Sequence, residues 1–96
     1  MKQRTANFTA AKVFLKALSK GAYAWPGGYP IYFLTSDGAV LSFKAAQEEK
    51  RQIVSAILNR DTRGGWHVEG ADINWEDAQL YCDHTGERIE SAYAED

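Results

Sequence analysis

Cysteine is almost absent from this chain: Cys82 stands alone among 96 residues. No intramolecular disulfide can form, and a lone thiol fits a reducing, cytoplasmic setting. No apolar run approaches the roughly 20 residues that a bilayer-spanning helix needs, so no membrane partner is expected. The polar opening Met1-Lys2-Gln3-Arg4-Thr5-Ala6, with Lys12 and Lys16 interrupting the apolar positions that follow, argues against a signal peptide. Internal repeats and low-complexity linkers are missing too. What remains is 45% hydrophobic and 25% charged, the balance of a folded domain and not of a disordered one. One domain over residues 1–96 is expected, with flexible ends at 1–6 and 92–96.

Catalytic signatures are also lacking. The chain has no Gly-x-Ser-x-Gly, no phosphate-binding loop and no His-Glu-x-x-His. Cys82, Asp83 and His84 offer a nucleophile and a base, but neighbours on a turn seldom point together, so no enzyme, catalytic residue or cofactor is expected.

The net charge of -2 hides a lopsided distribution. Residues 1–63 hold ten Lys/Arg against four Asp/Glu, whereas residues 64–96 hold one base, Arg88, against nine acids. Folded to different sides, these parts give one basic and one acidic face.

The stretch that organises the chain is Trp25-Pro26-Gly27-Gly28-Tyr29-Pro30, running into Ile31-Tyr32-Phe33-Leu34-Thr35. Two prolines around two glycines make a constrained aromatic loop, and the β-branched and aromatic run after it suits a largely buried strand. Ser36-Asp37-Gly38 is a tight-turn signal, so residues 31–43 read as a hairpin. Before it, Ala10, Val13, Phe14, Ala17 and Leu18 recur at helical spacing over 8–20, with Gly21 as the stop. After it, Ala46, Ile53, Val54, Ile57 and Leu58 stripe a second helix over 44–59. Trp66–Glu69 and Ala71–Trp75 alternate as half-buried strands, with Gly70 permitting a bend or bulge. Leu80–Cys82 and Glu87–Ile89 read as short strands around the Asp83–Gly86 turn. The predicted class is α+β: an N-terminal helix, a β-hairpin, and a central helix packed on a small antiparallel sheet.

Two turns have the outline of metal knuckles: Ser42 and Ala45 stand three apart after the hairpin, and Cys82 and Thr85 stand three apart before Gly86. On Trp25–Pro30, the Asp37-Gly38 turn, Asp72-Ile73-Asn74-Trp75-Glu76 and Arg88-Ile89-Glu90-Ser91-Ala92-Tyr93, the chain resembles a group of small uncharacterised proteins of phages and mobile elements. The resemblance covers roughly residues 20–93. Many such relatives look like zinc ribbons, with Cys-x-x-Cys at both knuckles. It implies a degenerate zinc-ribbon-like fold here, because Ser42, Ala45 and Thr85 stand where three of the four cysteines would be. One thiolate cannot hold a structural zinc, so no metal is expected. A three-ligand set of Cys82, His84 and His67 is the open alternative. Loss of an ion must be offset by packing, with Phe43, Ala45 and Ala46 as fillers.

Two modes of binding compete. Most aromatics are expected in the core, but Trp25 and Tyr29 sit on the Gly-Pro loop and can face solvent. With Asp72, Glu76, Asp77, Asp83 and Glu87 they form the candidate partner-binding set, suited to a host protein or nucleoprotein complex with a basic surface. The mobile-element resemblance implies an anti-CRISPR or anti-restriction inhibitor as the concrete form. The alternative is a small nucleic-acid-binding domain descended from a zinc ribbon, using Lys12, Lys16, Lys20, Lys44, Lys50, Arg51, Arg60 and Arg63.

Overall fold

A helix twice as long as its apolar stripe opens the chain. The computed structural model describes residues 2–24 and 28–93. Trp25, Glu95 and Asp96 therefore lie outside the described residues. Helix α1 (Lys2–Ser19) begins six residues before the expected start, because Lys, Gln, Arg and Ala favour helix and need no buried face to do so. Asn7 adds a tertiary tie, its amide donating to the Leu58 carbonyl at 3.3 Å. Among the described side chains of α1, only Ala11, Phe14 and Leu18 are buried. Of the expected stripe, Phe14 and Leu18 are buried and Ala17 packs against the core, but Ala10 is exposed and Val13 is 63% exposed, and these two line a groove beside the core. Gly21 ends the helix as predicted, at φ 93°.

Strands β1 (Tyr23–Ala24), β2 (Tyr29–Thr35) and β3 (Val40–Ser42) follow. The hairpin turn is where it was expected. Gly38 takes φ 87°, its N–H reaches the Thr35 carbonyl, and the Thr35 hydroxyl bonds the Asp37 carboxylate. That hydroxyl, with the Ala39 N–H, holds the Asp37 carboxyl below its ordinary range.

The single helix expected over 44–59 is two: α2 (Phe43–Glu48) and α3 (Lys50–Asn59). Ser42 caps α2, its hydroxyl accepting from the Ala45 N–H at 3.1 Å. Glu49 sits at φ −105°, ψ 21°, so the chain kinks without losing its hydrogen bonds: Glu49 N–H reaches Ala45 and Ile53 N–H reaches Glu49. The kink serves two surfaces at once. Ala45 and Ala46 pack against β2 and β3, while Ile53 and Ile57 close on α1.

Strand β4 (Val68–Ile73) replaces the two short strands predicted there. It runs antiparallel to β2, pairing Ile73 with Ile31 and Ala71 with Phe33, and slips register at Glu69, so the bulge falls beside Gly70. β2 is thus the central strand, paired antiparallel with the other three. The two strands expected at 80–82 and 87–89 shrink to a single bridge, Tyr81 to Arg88. At the centre Phe33 is 1% exposed, its ring 5.4 Å from Phe14 edge-on and 6.3 Å from Phe43. The architecture is α+β with an antiparallel sheet. No helix among the described residues is long and apolar enough to cross a membrane.

Candidate functional site

Past β4 the chain has almost no regular structure, and a single buried amide takes its place. Asn74 is 3% exposed. Its Nδ2 donates to the carbonyls of Asp77 and Glu90 at 3.0 Å and of Ile89 at 3.3 Å, and its Oδ1 accepts the Asp77 N–H at 3.2 Å. A buried amide must find such partners or lose the free energy of its hydration. Here the partners come from two loops that no strand joins. The Ala92 N–H then donates to the Asn74 carbonyl and the Tyr93 N–H to the Trp75 carbonyl, both at 2.8 Å. The C-terminal segment is thereby laid along residues 74–75.

This wiring assembles three rings. Trp75 and Tyr93 stack at 6.0 Å with 12° between planes, and Tyr29, at the start of β2, tilts against Trp75 at 4.7 Å. The Tyr93 hydroxyl donates to Tyr29 Oη at 3.4 Å, and that bond, with some burial, raises the Tyr93 phenol above its ordinary value. Trp75 is 44% and Tyr93 60% exposed, so the cluster is a platform at the surface and not core. Exposed, mutually packed aromatics of this kind are the usual energetic anchors of an interface.

Carboxylates flank Trp75 along the chain. Asp72, Glu76 and Asp77 are exposed on the segment that carries Trp75. Asp72 and Asp77 both act on the half-buried Tyr32, whose phenol is raised first by burial and then by their negative charge. Glu90 accepts a 2.7 Å hydrogen bond from Tyr23, which raises that phenol as well. Of the sequence-derived set, Tyr29, Asp72, Glu76 and Asp77 belong to this surface. Asp83 and Glu87 serve the neighbouring turn: the Asp83 carboxylate accepts the Val40 N–H at 2.7 Å and so clamps the turn to β3, while the Glu87 carbonyl accepts the Cys82 N–H. Trp75 and Tyr93 fall outside that set, since most aromatics are expected in the core and residues 92–96 as a flexible end. The only trace they left was that both motifs carrying them, 72–76 and 88–93, stood out in the sequence.

The knuckle positions also meet. Cys82 is 1% exposed. Burial pushes its thiol up, but the N–H and hydroxyl groups of Ser42 and Thr85 outweigh that and bring it down from 9.0 to about 7. Ala45, at the fourth position, is fully buried. The three-ligand alternative does not assemble. His84 turns to Glu49, with Nε2 3.8 Å from the carboxylate, and packs edge-on against Trp66 at 4.9 Å. His67 lies against α1, and no group of three metal-binding side chains occurs among the described residues.

Comparison of the chain with protein-family models, with curated proteins and with solved structures finds no match.

Proposed function

We propose that this protein is a non-enzymatic accessory factor of a phage or plasmid that works by binding a host macromolecular complex, most concretely as an anti-CRISPR or anti-restriction inhibitor. The observation that carries the reading is the Tyr29–Trp75–Tyr93 platform, with Trp75 and Tyr93 exposed, held by Asn74 and carried on segments that also bear Asp72, Glu76, Asp77 and Glu90. Aromatic anchors supply the binding energy, and the carboxylates steer the surface to a basic groove of the kind that nucleic-acid-processing machines carry. The knuckle remnant fits the same history: Ser42 and Thr85 hydrogen-bond the Cys82 sulfur at the place where a zinc ribbon would hold its ion. Zinc bound stoichiometrically to the purified protein would remove that part of the reading.

The test is biological. Expression of the chain in a bacterium with an active CRISPR–Cas or restriction system should restore plating of a targeted phage. Trp75→Ala and the triple change Asp72→Lys, Glu76→Lys, Asp77→Lys should each lose that effect while remaining folded by circular dichroism. If a panel of such systems is untouched by the wild-type protein, the inhibitor reading fails.

A second reading rests on the helices. Neither α1 nor α3 contains an acidic residue, and Lys12, Lys16, Lys20, Lys50 and Arg51 are exposed on or beside them. This face suits phosphate backbones. A gel shift at low salt, with affinity falling steeply as salt rises, supports it; no shift at low salt removes it.

A further inference from the structure

We propose that the free edge of β4 takes up an extended peptide of alternating basic and apolar residues as a further strand of the sheet. β4 pairs with β2 alone, so its other side carries no strand among the described residues. The Asn74 N–H bonds the Pro30 carbonyl, and Tyr32 and Leu34 stand opposite Asp72 and Gly70, which fixes the alternation along this ladder. Residues 70 and 72 turn their N–H and C=O groups to β2, and Ala71 turns both of its own to the open edge. Unmet backbone groups of this kind are what an added strand pairs with. Glu69, Gly70, Ala71 and Asp72 are all exposed. Gly70 has no left-handed backbone, and a Cβ built on it would meet no atom within 4 Å. Packing inside the fold therefore does not call for glycine there, whereas close approach of another backbone does.

The surroundings of that edge set the peptide's chemistry. Ala71 borders the groove against α1, a space of about 250 Å³ lined also by Val13, Ala17, Phe14 and Phe33. A side chain on the same face as Ala71 enters this groove, and the space holds one branched apolar group. The next side chains along the added strand stand on the other face, beside Asp72. Glu69 is the carboxylate in the groove lining, and neither it nor Asp72 is ion-paired among the described residues. Lysine or arginine therefore suits the positions that flank the apolar one. The same carboxylates argue against a second copy, because two β4 edges brought together would oppose like charges. Asp72 Oδ1 already accepts the Ile73 N–H at 2.8 Å, which confines pairing to the stretch around Ala71. The site uses none of the three platform rings and does not rest on the inhibitor reading.

The probe is the blocked peptide acetyl-Lys-Val-Lys-Leu-Lys-Val-Lys-amide, titrated into the full-length, isotope-labelled protein and followed by amide chemical shifts. It should bind saturably, with shifts centred on residues 69–73 and on Val13 and Phe14. The counterpart with glutamate for lysine should bind at least about ten-fold more weakly. N-methylation of the central leucine, whose N–H faces Ala71 in an antiparallel addition, should weaken binding about ten-fold. N-methylation of the lysine beside it, whose N–H faces away, should change affinity by no more than about two-fold. The double change Glu69→Lys, Asp72→Lys should turn the preference round to the glutamate peptide. Equal losses from the two N-methyl groups, equal affinity for the two charge patterns, or shifts centred on Trp75 and Tyr93 would each overturn the proposal. So would shifts at 69–73 on diluting the protein alone, which would make the occupant a second copy. Should the double variant not fold, the N-methyl pair on the wild-type protein decides.

Discussion

The first 59 residues and the stretch from 74 to 93 are stabilised by different physics. In the former, helices α1, α2 and α3 close apolar side chains over β2: Phe14, Phe33, Ala45, Ala46, Ile53 and Ile57 are all buried in one cluster. In the latter, only Cys82 and Ile89 are buried apolar residues, and side chains bond directly to backbone instead. Asn74 joins two loops, Asp83 ties the turn to β3, and Arg88 Nε donates to the Ala78 carbonyl at 2.8 Å. Charge divides along the same line, with α1 and α3 free of acids on one part and nine acids against Arg88 over residues 64–96. The contrast explains how a segment so poor in apolar residues holds two aromatic rings out in solvent. Directional hydrogen bonds fix their positions without burying them.

The harshest way to break this contrast is Phe33→Ala. The ring is shared by α1, α2 and the sheet, so its loss should cost ~3–5 kcal/mol and lower one common melting transition for the whole domain. Two separated transitions would mean that the parts fold independently. Asn74→Ala should cost less, ~2–3 kcal/mol, because it leaves carbonyls and an N–H unpaired in a buried place. Its signature is local: amide exchange at Ala92 and Tyr93 should accelerate far more than at Ile53 or Ile57. Uniform acceleration would show that Asn74 supports the core, not the C-terminal segment.

The thiol sharpens the comparison next, since it sits where the two parts meet. The fold favours the Cys82 thiolate, at about 7 against 9.0 when free. The folded state therefore binds fewer protons than the unfolded one between those values, and stability rises by ~2 kcal/mol from pH 7 to 9. The gain is lost as pH falls back through 7. Cys82→Ser should flatten that slope and abolish the thiolate absorbance step near 240 nm; a step centred near 9 would contradict the proposed hydrogen bonding. Smallest in stability is Trp75→Ala. With the ring 44% exposed, the cost should stay near ~1 kcal/mol, so any larger effect on partner binding reports the platform and not the fold.

Much of the fold was legible. The Asp37-Gly38 turn and the Gly21 stop announce themselves through residue types that only certain backbone conformations accept, whereas Ser42, read as a vacated knuckle position, caps α2. The kink at Glu49 was not, since no glycine or proline marks it, and the helix bends to meet two surfaces. The buried face of α1 was legible only in part: Phe14 and Leu18 are buried as expected. Ala10, Val13 and Phe14 all fit a helical period, and only the placement of Phe33 and β4 decides that Phe14 turns inward while Val13 stays at 63% exposure. Of the candidate site, only the charge at 72, 76 and 77 could be read from composition; Tyr29, expected on the Gly-Pro loop, opens β2 and is half-buried. Asn74 could not, because a buried asparagine and a loop asparagine look alike in sequence.

By itself the sequence determined the α+β class, the hairpin, the isolation of Cys82 and the division of charge, all of which depend on neighbours or on composition. Tertiary structure alone decided that Tyr29 and Tyr93, 64 positions apart, share a surface with Trp75, and that the Cys82 sulfur meets Ser42. Contacts between distant segments leave no period and no local preference in the chain; they exist only once a core and a buried amide have brought those segments together.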